Sequence, residues 1–207
     1  MKNTVLCMLL PFFALLSCKD NISSNDRVVA TTSDEVEMDS LSPYWYDKNQ
    51  REVTFSESGD TLLRYPHDVE VDEYLVPASV KCIFERAFQG CRNLKKVVVP
   101  ETVRHIEMAA FNGCEDLRQV FLYAPLDTMP YRLLNGCDKL REIYIASEVP
   151  PVVEEYEEDE MYSFRIVFGN ADLDSLVLYV PRDAVQKYKK AYGWRMFKNI
   201  VSLQINN

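Results

Sequence analysis

The chain has 207 residues, of which 47% are hydrophobic and 12% aromatic, so it can bury a core and is not a disordered polymer. Its formal net charge is −9 and it contains six glycines. The charge argues against nucleic acid as a partner, because nucleic-acid binding depends largely on Lys and Arg that neutralise phosphates. The low glycine count argues against glycine-rich phosphate-binding loops.

The first 17 residues have the organisation of a secretory signal peptide. Lys2 supplies a positive charge, and residues 5–16 form an apolar run that is too short to span a bilayer as a helix. The run ends in "LLSC", residues 15–18, which resembles the lipobox of bacterial lipoproteins. That resemblance implies cleavage before Cys18 and acylation of its thiol, which would anchor the protein in a membrane. The alternative is an ordinary cleaved signal with an incidental cysteine.

Residues 18–42 contain the acylated cysteine followed by a polar, Ser- and Asp-rich segment without hydrophobic periodicity, which predicts a flexible tether. Lys19 and Asp20 resemble the signals that send some Bacteroidetes lipoproteins to the outer face of the outer membrane. This resemblance implies a lipid-anchored outer-membrane protein that faces the cell exterior, although any polar tether would fit these two residues equally well. Residues 43–76 are predicted to form an N-terminal β unit.

From residue 77 the chain repeats one pattern at a spacing of 23 residues. "AFQGCRNLKKVVVP" (87–100) recurs as "AFNGCEDLRQVFLY" (110–123) and "LLNGCDKLREIYIA" (133–146) without a gap. Such a period predicts a solenoid. In each copy the pattern L-x-x-V-x-V predicts a strand whose alternate residues, such as Val97 and Val99, point into the core. The glycine before each cysteine suits a turn that needs a positive φ.

The full pattern, P-x-x-V-x-x-I-x-x-x-A-F-x-G-C-x-x-L-x-x-V-x-V-P, resembles the BspA-type leucine-rich repeat of bacterial surface proteins, over about residues 53–203. The resemblance implies a leucine-rich repeat solenoid over residues 77–181. Short parallel β-strands would form one face, and turns or short helices the other, with a helical cap at the C-terminal end. It also implies adhesion through a protein ligand on a host or bacterial surface.

Two segments interrupt or end the repeats. An acidic insert occupies about residues 154–164, and six of the seven residues from 154 to 160 are acidic, which predicts a solvated segment. A cation site is the alternative, although the ligand spacing of a calcium loop is missing. Residues 182–207 are predicted to form a C-terminal cap with a helix over 184–192. A capping box of Asp183 and Gln186 would begin this helix and Gly193 would end it, with Trp194 and Phe197 covering the end of the solenoid.

No pattern indicates an enzyme, a cofactor or a metal. By the repeat geometry His105 is far from any Ser or acid that would complete a catalytic triad, His67 follows Pro66 at a predicted turn, and there is no nucleophile elbow. Four cysteines in the repeat region of an exported chain allow two disulfides, but all four, Cys82, Cys91, Cys114 and Cys137, are expected to be free thiols. The last three hold one position of the repeat, so their Cβ vectors would run parallel, which suits neither disulfides nor a tetrahedral zinc site.

The outward positions of the strands supply the candidate binding residues. An apolar to aromatic stripe would cross about 15 Å of the sheet at strand spacing. Its members are Val98, Phe121, Tyr144 and Tyr179. A basic row flanks the strands and consists of Lys95, Arg118 and Arg141.

The stripe is predicted to be a contact surface for a protein, because aromatic-rich exposed patches are enriched at interfaces. Its outward position predicts a minor role in folding, and β-propensity alone is the plainer explanation of its residues. Two other functions remain open. One is a glycan-binding accessory lipoprotein in which Phe121, Tyr144 and Tyr179 stack on sugar rings. The other is a periplasm-facing structural lipoprotein. If the stripe does not bind, the basic row or the acidic insert is the next candidate.

Overall fold

The computed structural model describes residues 52–154 and 159–203. The signal peptide, Cys18, the tether and residues 155–158 of the acidic insert lie outside these ranges, so the interpretations placed on them stay predictions. Within the described ranges, no helix has the length and apolar character that crossing a membrane requires.

The described residues form ten short strands and two α-helices. The strands are β1 (Thr54–Phe55), β2 (Thr61–Arg64), β3 (Glu73–Leu75), β4 (Cys82–Ile83), β5 (Lys96–Val99), β6 (His105–Ile106), β7 (Gln119–Leu122), β8 (Glu142–Ile145), β9 (Val177–Val180) and β10 (Asn199–Ser202). The helices are α1 (Glu160–Phe168) and α2 (Val185–Tyr188).

Six strands form a front sheet in the order β10-β9-β8-β7-β5-β3, and every neighbouring pair is parallel. Lys96 of β5 pairs with Gln119 of β7, which pairs with Glu142 of β8, an offset of 23 positions at each step (96 to 119, 119 to 142). The next offset is longer: Glu142 pairs with Val177 of β9, because the connection between β8 and β9 contains α1. This coil of parallel strands is a leucine-rich repeat fold, as predicted.

The core lies directly behind the front sheet. Strands β5, β7, β8 and β9 all alternate between half-buried and fully buried positions. Val97 and Val99 are both 0% exposed, and the equivalent residues of the next strands are at most 2% exposed. The predicted strand register is therefore confirmed. Behind the strands, Phe88 stacks on Phe111 with ring centroids 4.8 Å apart, so the return segments also pack repeat against repeat.

The back of the coil differs from the predicted turns or short helices. Strands β1, β2, β4 and β6 form a second sheet there, in which β2, β4 and β6 are parallel. The predicted glycine turns are confirmed, since Gly90, Gly113 and Gly136 have φ of 73°, 73° and 74°. A second position with positive φ precedes the Ala-Phe pair in the first two copies and the Leu-Leu pair in the third, at Arg86, Ala109 and Arg132. Sequence inspection missed it, because none of these residues favours that conformation.

The acidic insert is not wholly solvated. Its last residues form the start of α1, where the Asp159 carboxylate accepts hydrogen bonds from the backbone N–H groups of Met161 and Tyr162. An acid suits this place because the first N–H groups of a helix lack partners. Glu160 accepts hydrogen bonds from the backbone N–H of Gly193 and from Arg195, and Phe164 is 1% exposed. Within the acidic run, Glu154 and Asp159 are exposed, as predicted, whereas Glu160 is half-buried and contradicts the prediction.

The C-terminal segment also differs from its prediction. Helix α2 ends at Tyr188 and has no side-chain hydrogen bond at its N-cap, so neither the helix over 184–192 nor the capping box is present. The chain instead continues to β10, which pairs with β9 and extends the front sheet. Trp194 and Phe197 are buried against Phe168, so the expected apolar covering of this end does exist.

The cysteines follow the prediction at three positions and contradict it at one. Cys91, Cys114 and Cys137 are free and buried, and the Cys114 and Cys137 thiols donate to the backbone carbonyls of Phe88 and Phe111 in the preceding repeats, at 3.0 and 3.2 Å. Hydrogen bonding to the Cys114 thiol, together with burial, raises the pKa of the Cys137 thiol well above its ordinary value. Cys82, expected to be free, is instead disulfide-bonded.

Candidate contact surface on the front sheet

The predicted stripe exists as a continuous row. Its members pair strand by strand, from Val98 to Phe121, then to Tyr144, then to Tyr179. Every one of these side chains is half-buried and points away from the buried residues beside it. The register also adds a residue at each end, because Leu75 pairs with Val98 and Val201 pairs with Tyr179. These two are 65% and 39% exposed, which makes the ends the most accessible part of the stripe.

Sequence inspection missed both end residues for different reasons. Leu75 stands 23 positions before Val98, so the repeat spacing itself would have identified it. Val201 carries no such signal, since it follows the last repeat and joins the row only because β10 pairs with β9.

A second apolar row lies beside the stripe, two residues further along each strand, where alternation returns the side chains to the outward face. Its members are Pro77, Pro100, Tyr123, Ala146 and Pro181. Tyr123 is 44% exposed, and its ring centroid lies 6.3 Å from that of Phe121. We call the stripe, its two end residues and this second row the apolar band. It has eleven positions, none of them charged, and crosses six strands, or about 24 Å at strand spacing.

The aromatic rings at the centre of the band stack on one another. Phe121 and Tyr144 have centroids 4.1 Å apart with an interplanar angle of 6°, and Tyr144 and Tyr179 are 4.3 Å apart at 4°. Each such pair contributes about 0.5–1.5 kcal/mol beyond the area it buries. The expectation that these outward residues matter little for folding therefore understates their contribution, because they pack against each other.

A polar row borders the band on the side where the strands begin, and its charged groups are ion-paired or hydrogen-bonded. The Lys96 ammonium lies 3.1 Å from Glu73 and 5.5 Å from the centroid of the Phe121 ring. The Glu142 carboxylate accepts hydrogen bonds from Gln119 at 2.6 Å and from the Tyr144 hydroxyl at 2.9 Å. Burial and this bond to Glu142 raise the pKa of Tyr144, so its hydroxyl stays protonated at neutral pH.

The predicted basic row lies at the rim of the sheet, one residue before each strand. Backbone hydrogen bonds join the members of this row. The N–H of Arg118 donates to the carbonyl of Lys95 at 2.8 Å, and the N–H of Arg141 donates to the carbonyl of Arg118 at 2.9 Å. Its charges are not equivalent. Lys95 forms an ion pair with Asp72 at 2.9 Å, whereas Arg118 and Arg141 are exposed and have no carboxylate within ion-pair distance among the described residues.

Metal binding has no support in the part of the chain that the structure describes. No three or more His, Cys, Asp or Glu side chains there are placed to hold a metal ion. Of the predicted cation site in the acidic insert, residues 155–158 lie outside the described ranges.

Comparison with known proteins agrees with the fold. Residues 67–163 match the model of the BspA-type leucine-rich repeat region, in six copies. No curated protein matches the chain. A leucine-rich cell surface protein of Faecalibacterium prausnitzii has a similar solved structure, with a TM-score of 0.50 and 22% identity over 74% of this chain and 38% of that one.

Two further structures are more distant. A leucine-rich repeat protein of Eubacterium ventriosum has a TM-score of 0.44 and 18% identity over 66% of this chain and 42% of its own. One from Bacteroides ovatus has a TM-score of 0.34 and 27% identity over 63% of this chain and 36% of its own. The chain therefore spans less than half the length of each of these three proteins.

Proposed function

Because residues 67–163 belong to the BspA-type leucine-rich repeat family, we propose that this protein mediates adhesion, or another protein–protein interaction, at the cell surface, and that the apolar band is its contact surface. The observation that carries the proposal is the uncharged band itself. Its inward neighbours already fill the core, so core packing does not require apolar residues on the outer face. Continuous exposed apolar patches rimmed by polar groups are characteristic of interaction sites.

The arrangement of the rings favours a protein over a glycan. Sugars stack on the open face of an aromatic ring, but both faces of Tyr144 are covered, one by Phe121 and the other by Tyr179. Lys96 also lies over the Phe121 ring. What the three central rings offer outward is mainly their edges, which fit the side chains of a protein partner. Glycan binding is therefore the second outcome of the test below.

The contact surface is tested by replacing Phe121 and Tyr144 together with alanine. We expect the variant to lose about 1–3 kcal/mol of unfolding free energy through the lost stacking, but to remain folded because the inward residues are unchanged. Binding to proteins identified on an extracellular-protein array should weaken by at least about 30-fold, since truncating a hot-spot residue typically costs about 2 kcal/mol or more.

Tyr162→Ala is the matched control, because Tyr162 is an aromatic residue that is 44% exposed on α1, away from the band. It should bind as the wild type does. Normal binding by a folded Phe121→Ala/Tyr144→Ala variant would rule out the band. Hits on a glycan array alone, lost in that variant, would support the sugar-binding alternative instead.

We also propose that the protein is a lipoprotein attached through Cys18 to the outer membrane and facing the exterior, as its "LLSC" and Lys19-Asp20 motifs suggest. Cys18→Ala should move the protein from the membrane fraction to the soluble fraction after a high-salt wash, because the acyl chains supply the anchor. Retention of the variant in washed membranes would contradict lipidation. Resistance of the wild type to protease added to intact cells would favour a periplasm-facing structural role.

The domain boundaries are proposals of the same kind. We assign the signal peptide to residues 1–17, the tether to 18–42, the N-terminal β unit to 43–76, the solenoid to 77–181 and the C-terminal cap to 182–207. The 23-position offsets between β5, β7 and β8 support a repeat of that length. The burial of Trp194 supports a cap built from short helical turns and β10. We propose no catalytic role, cofactor or nucleic-acid partner.

A further inference from the structure

Two arginines stand apart from the other cations on the rim of the front sheet. Arg118 and Arg141 are exposed, and neither forms an ion pair with any described residue. Their neighbours Lys95 and Lys96 are paired with Asp72 and Glu73, at 2.9 and 3.1 Å. In a chain with 32 acidic residues against 23 basic ones, two adjacent arginines without an ion-pair partner are unexpected.

Two acids whose carboxyl pKa values these arginines affect are bonded to other groups. Asp116 pairs with Lys139, and the pKa of its carboxyl is lowered first by Lys139 and only weakly by Arg118. Asp172 accepts a hydrogen bond from the Ser175 hydroxyl, and the pKa of its carboxyl is lowered chiefly by that bond, with Arg141 a smaller influence. Neither arginine is ion-paired to these acids. One Nη of Arg141 donates to the backbone carbonyl of Leu140 at 2.9 Å, which holds that guanidinium at the rim and leaves its other N–H groups as donors.

The two arginines are aligned with the centre of the apolar band. Arg118 directly precedes β7 and stands three residues before Phe121, and Arg141 directly precedes β8 and stands three residues before Tyr144. Three residues of strand cover about 10 Å. Strands β7 and β8 are neighbours, so the two arginines precede adjacent strands of the sheet. These strands carry Phe121 and Tyr144, the most closely stacked rings of the band.

We propose that the front sheet recognises an extended, acidic peptide segment of a protein partner. An apolar or aromatic side chain of that segment lies against Phe121 and Tyr144, and a carboxylate about 10 Å away along the strand direction binds Arg118 and Arg141. Guanidinium suits this role because its planar fork binds a carboxylate through two hydrogen bonds. The proposal rests on the apolar band being the contact surface and adds the chemistry of the partner.

The test is to pan the full-length chain, immobilised through a C-terminal tag, against a display library of random twelve-residue peptides. Enriched peptides should combine an aromatic or large apolar residue with an Asp or Glu two or four residues away, because only alternate side chains of an extended segment face the sheet, at steps of about 7 Å. Their affinity is then measured for three variants: Arg118→Gln/Arg141→Gln, Lys95→Gln and Phe121→Ala/Tyr144→Ala.

We expect Arg118→Gln/Arg141→Gln to weaken peptide binding roughly three- to tenfold, the range expected for exposed charge pairs, and to reduce its dependence on salt. Lys95→Gln is the matched control and should bind normally, because Asp72 already compensates that charge. Phe121→Ala/Tyr144→Ala should lose most binding to the same peptides.

Each other result overturns one specific part of the argument. Enriched peptides without acids, or normal binding by Arg118→Gln/Arg141→Gln, would refute carboxylate recognition and leave the band as the contact surface. Normal binding by a folded Phe121→Ala/Tyr144→Ala variant would refute the band itself. A library that yields no enriched peptide would also refute the proposal, since an extended-segment site of this kind must retain some of its members.

Discussion

Replacement of Trp194 by alanine is expected to lower the free energy of unfolding by about 3–5 kcal/mol, the range for deleting a fully buried large aromatic side chain. Trp194 is 0% exposed and contacts Phe168, Tyr188 and Phe197, with ring centroids 5.1–5.8 Å away. Its indole N–H also donates to the backbone carbonyl of Pro151 at 2.6 Å. The residue therefore connects the loop before α1 to the C-terminal segment, and its loss leaves both a cavity and a buried acceptor without its partner.

Trp194→Phe separates these two contributions. It keeps most of the aromatic packing and removes the hydrogen bond to Pro151, so it should cost only about 1–2 kcal/mol. Urea denaturation followed by far-ultraviolet circular dichroism provides the measurement. If Trp194→Ala unfolds within about 1 kcal/mol of the wild type, the C-terminal segment does not belong to the cooperative core.

The second large effect is expected at Gly169, which ends α1 and lies against the preceding repeat. A Cβ at this position would be 2.8 Å from the backbone nitrogen of Gly136 and 3.2 Å from the Cα of Asn135, so backbone must move to admit it. The residue also has φ of 65° and ψ of −146°, a conformation that is essentially limited to glycine. Gly169→Ala should therefore cost about 2–6 kcal/mol, from strain of about 1–3 and overpacking of about 1–3.

Gly59→Ala is the matched control for the backbone term. Gly59 has φ of 72°, but nothing lies within 4 Å of where its Cβ would be. It should lose only the conformational part, about 1–2 kcal/mol. Equal losses in the two variants, measured by the same denaturation, would show that contact between the Gly169 and Gly136 backbones does not limit the spacing of the repeats.

The repeat and its inward residues were determined by the sequence alone. The apolar residues equivalent to Val97 and Val99 recur at a fixed spacing and alternate with outward residues. Because side chains of a strand alternate faces and the apolar ones must be buried, only one strand register is possible. The three stacked thiols at Cys91, Cys114 and Cys137 follow from the same spacing. Most of the stripe followed too, because outward positions are those left over once the inward ones are assigned.

Only the tertiary structure decided what lies beyond the regular repeat. The helix that follows Asp159 and ends at Phe168 could not be predicted from the sequence, because it depends on distant residues. Phe164 is buried in the core, and Glu160 accepts a hydrogen bond from Arg195, 35 residues later in the chain. Val201 joined the band through the pairing of β10 with β9. Lys95 and Arg118 hold equivalent positions in the sequence pattern, yet Asp72 neutralises the first and no described carboxylate pairs with the second. Contacts of this kind join residues that are distant in sequence, so periodicity carries no information about them.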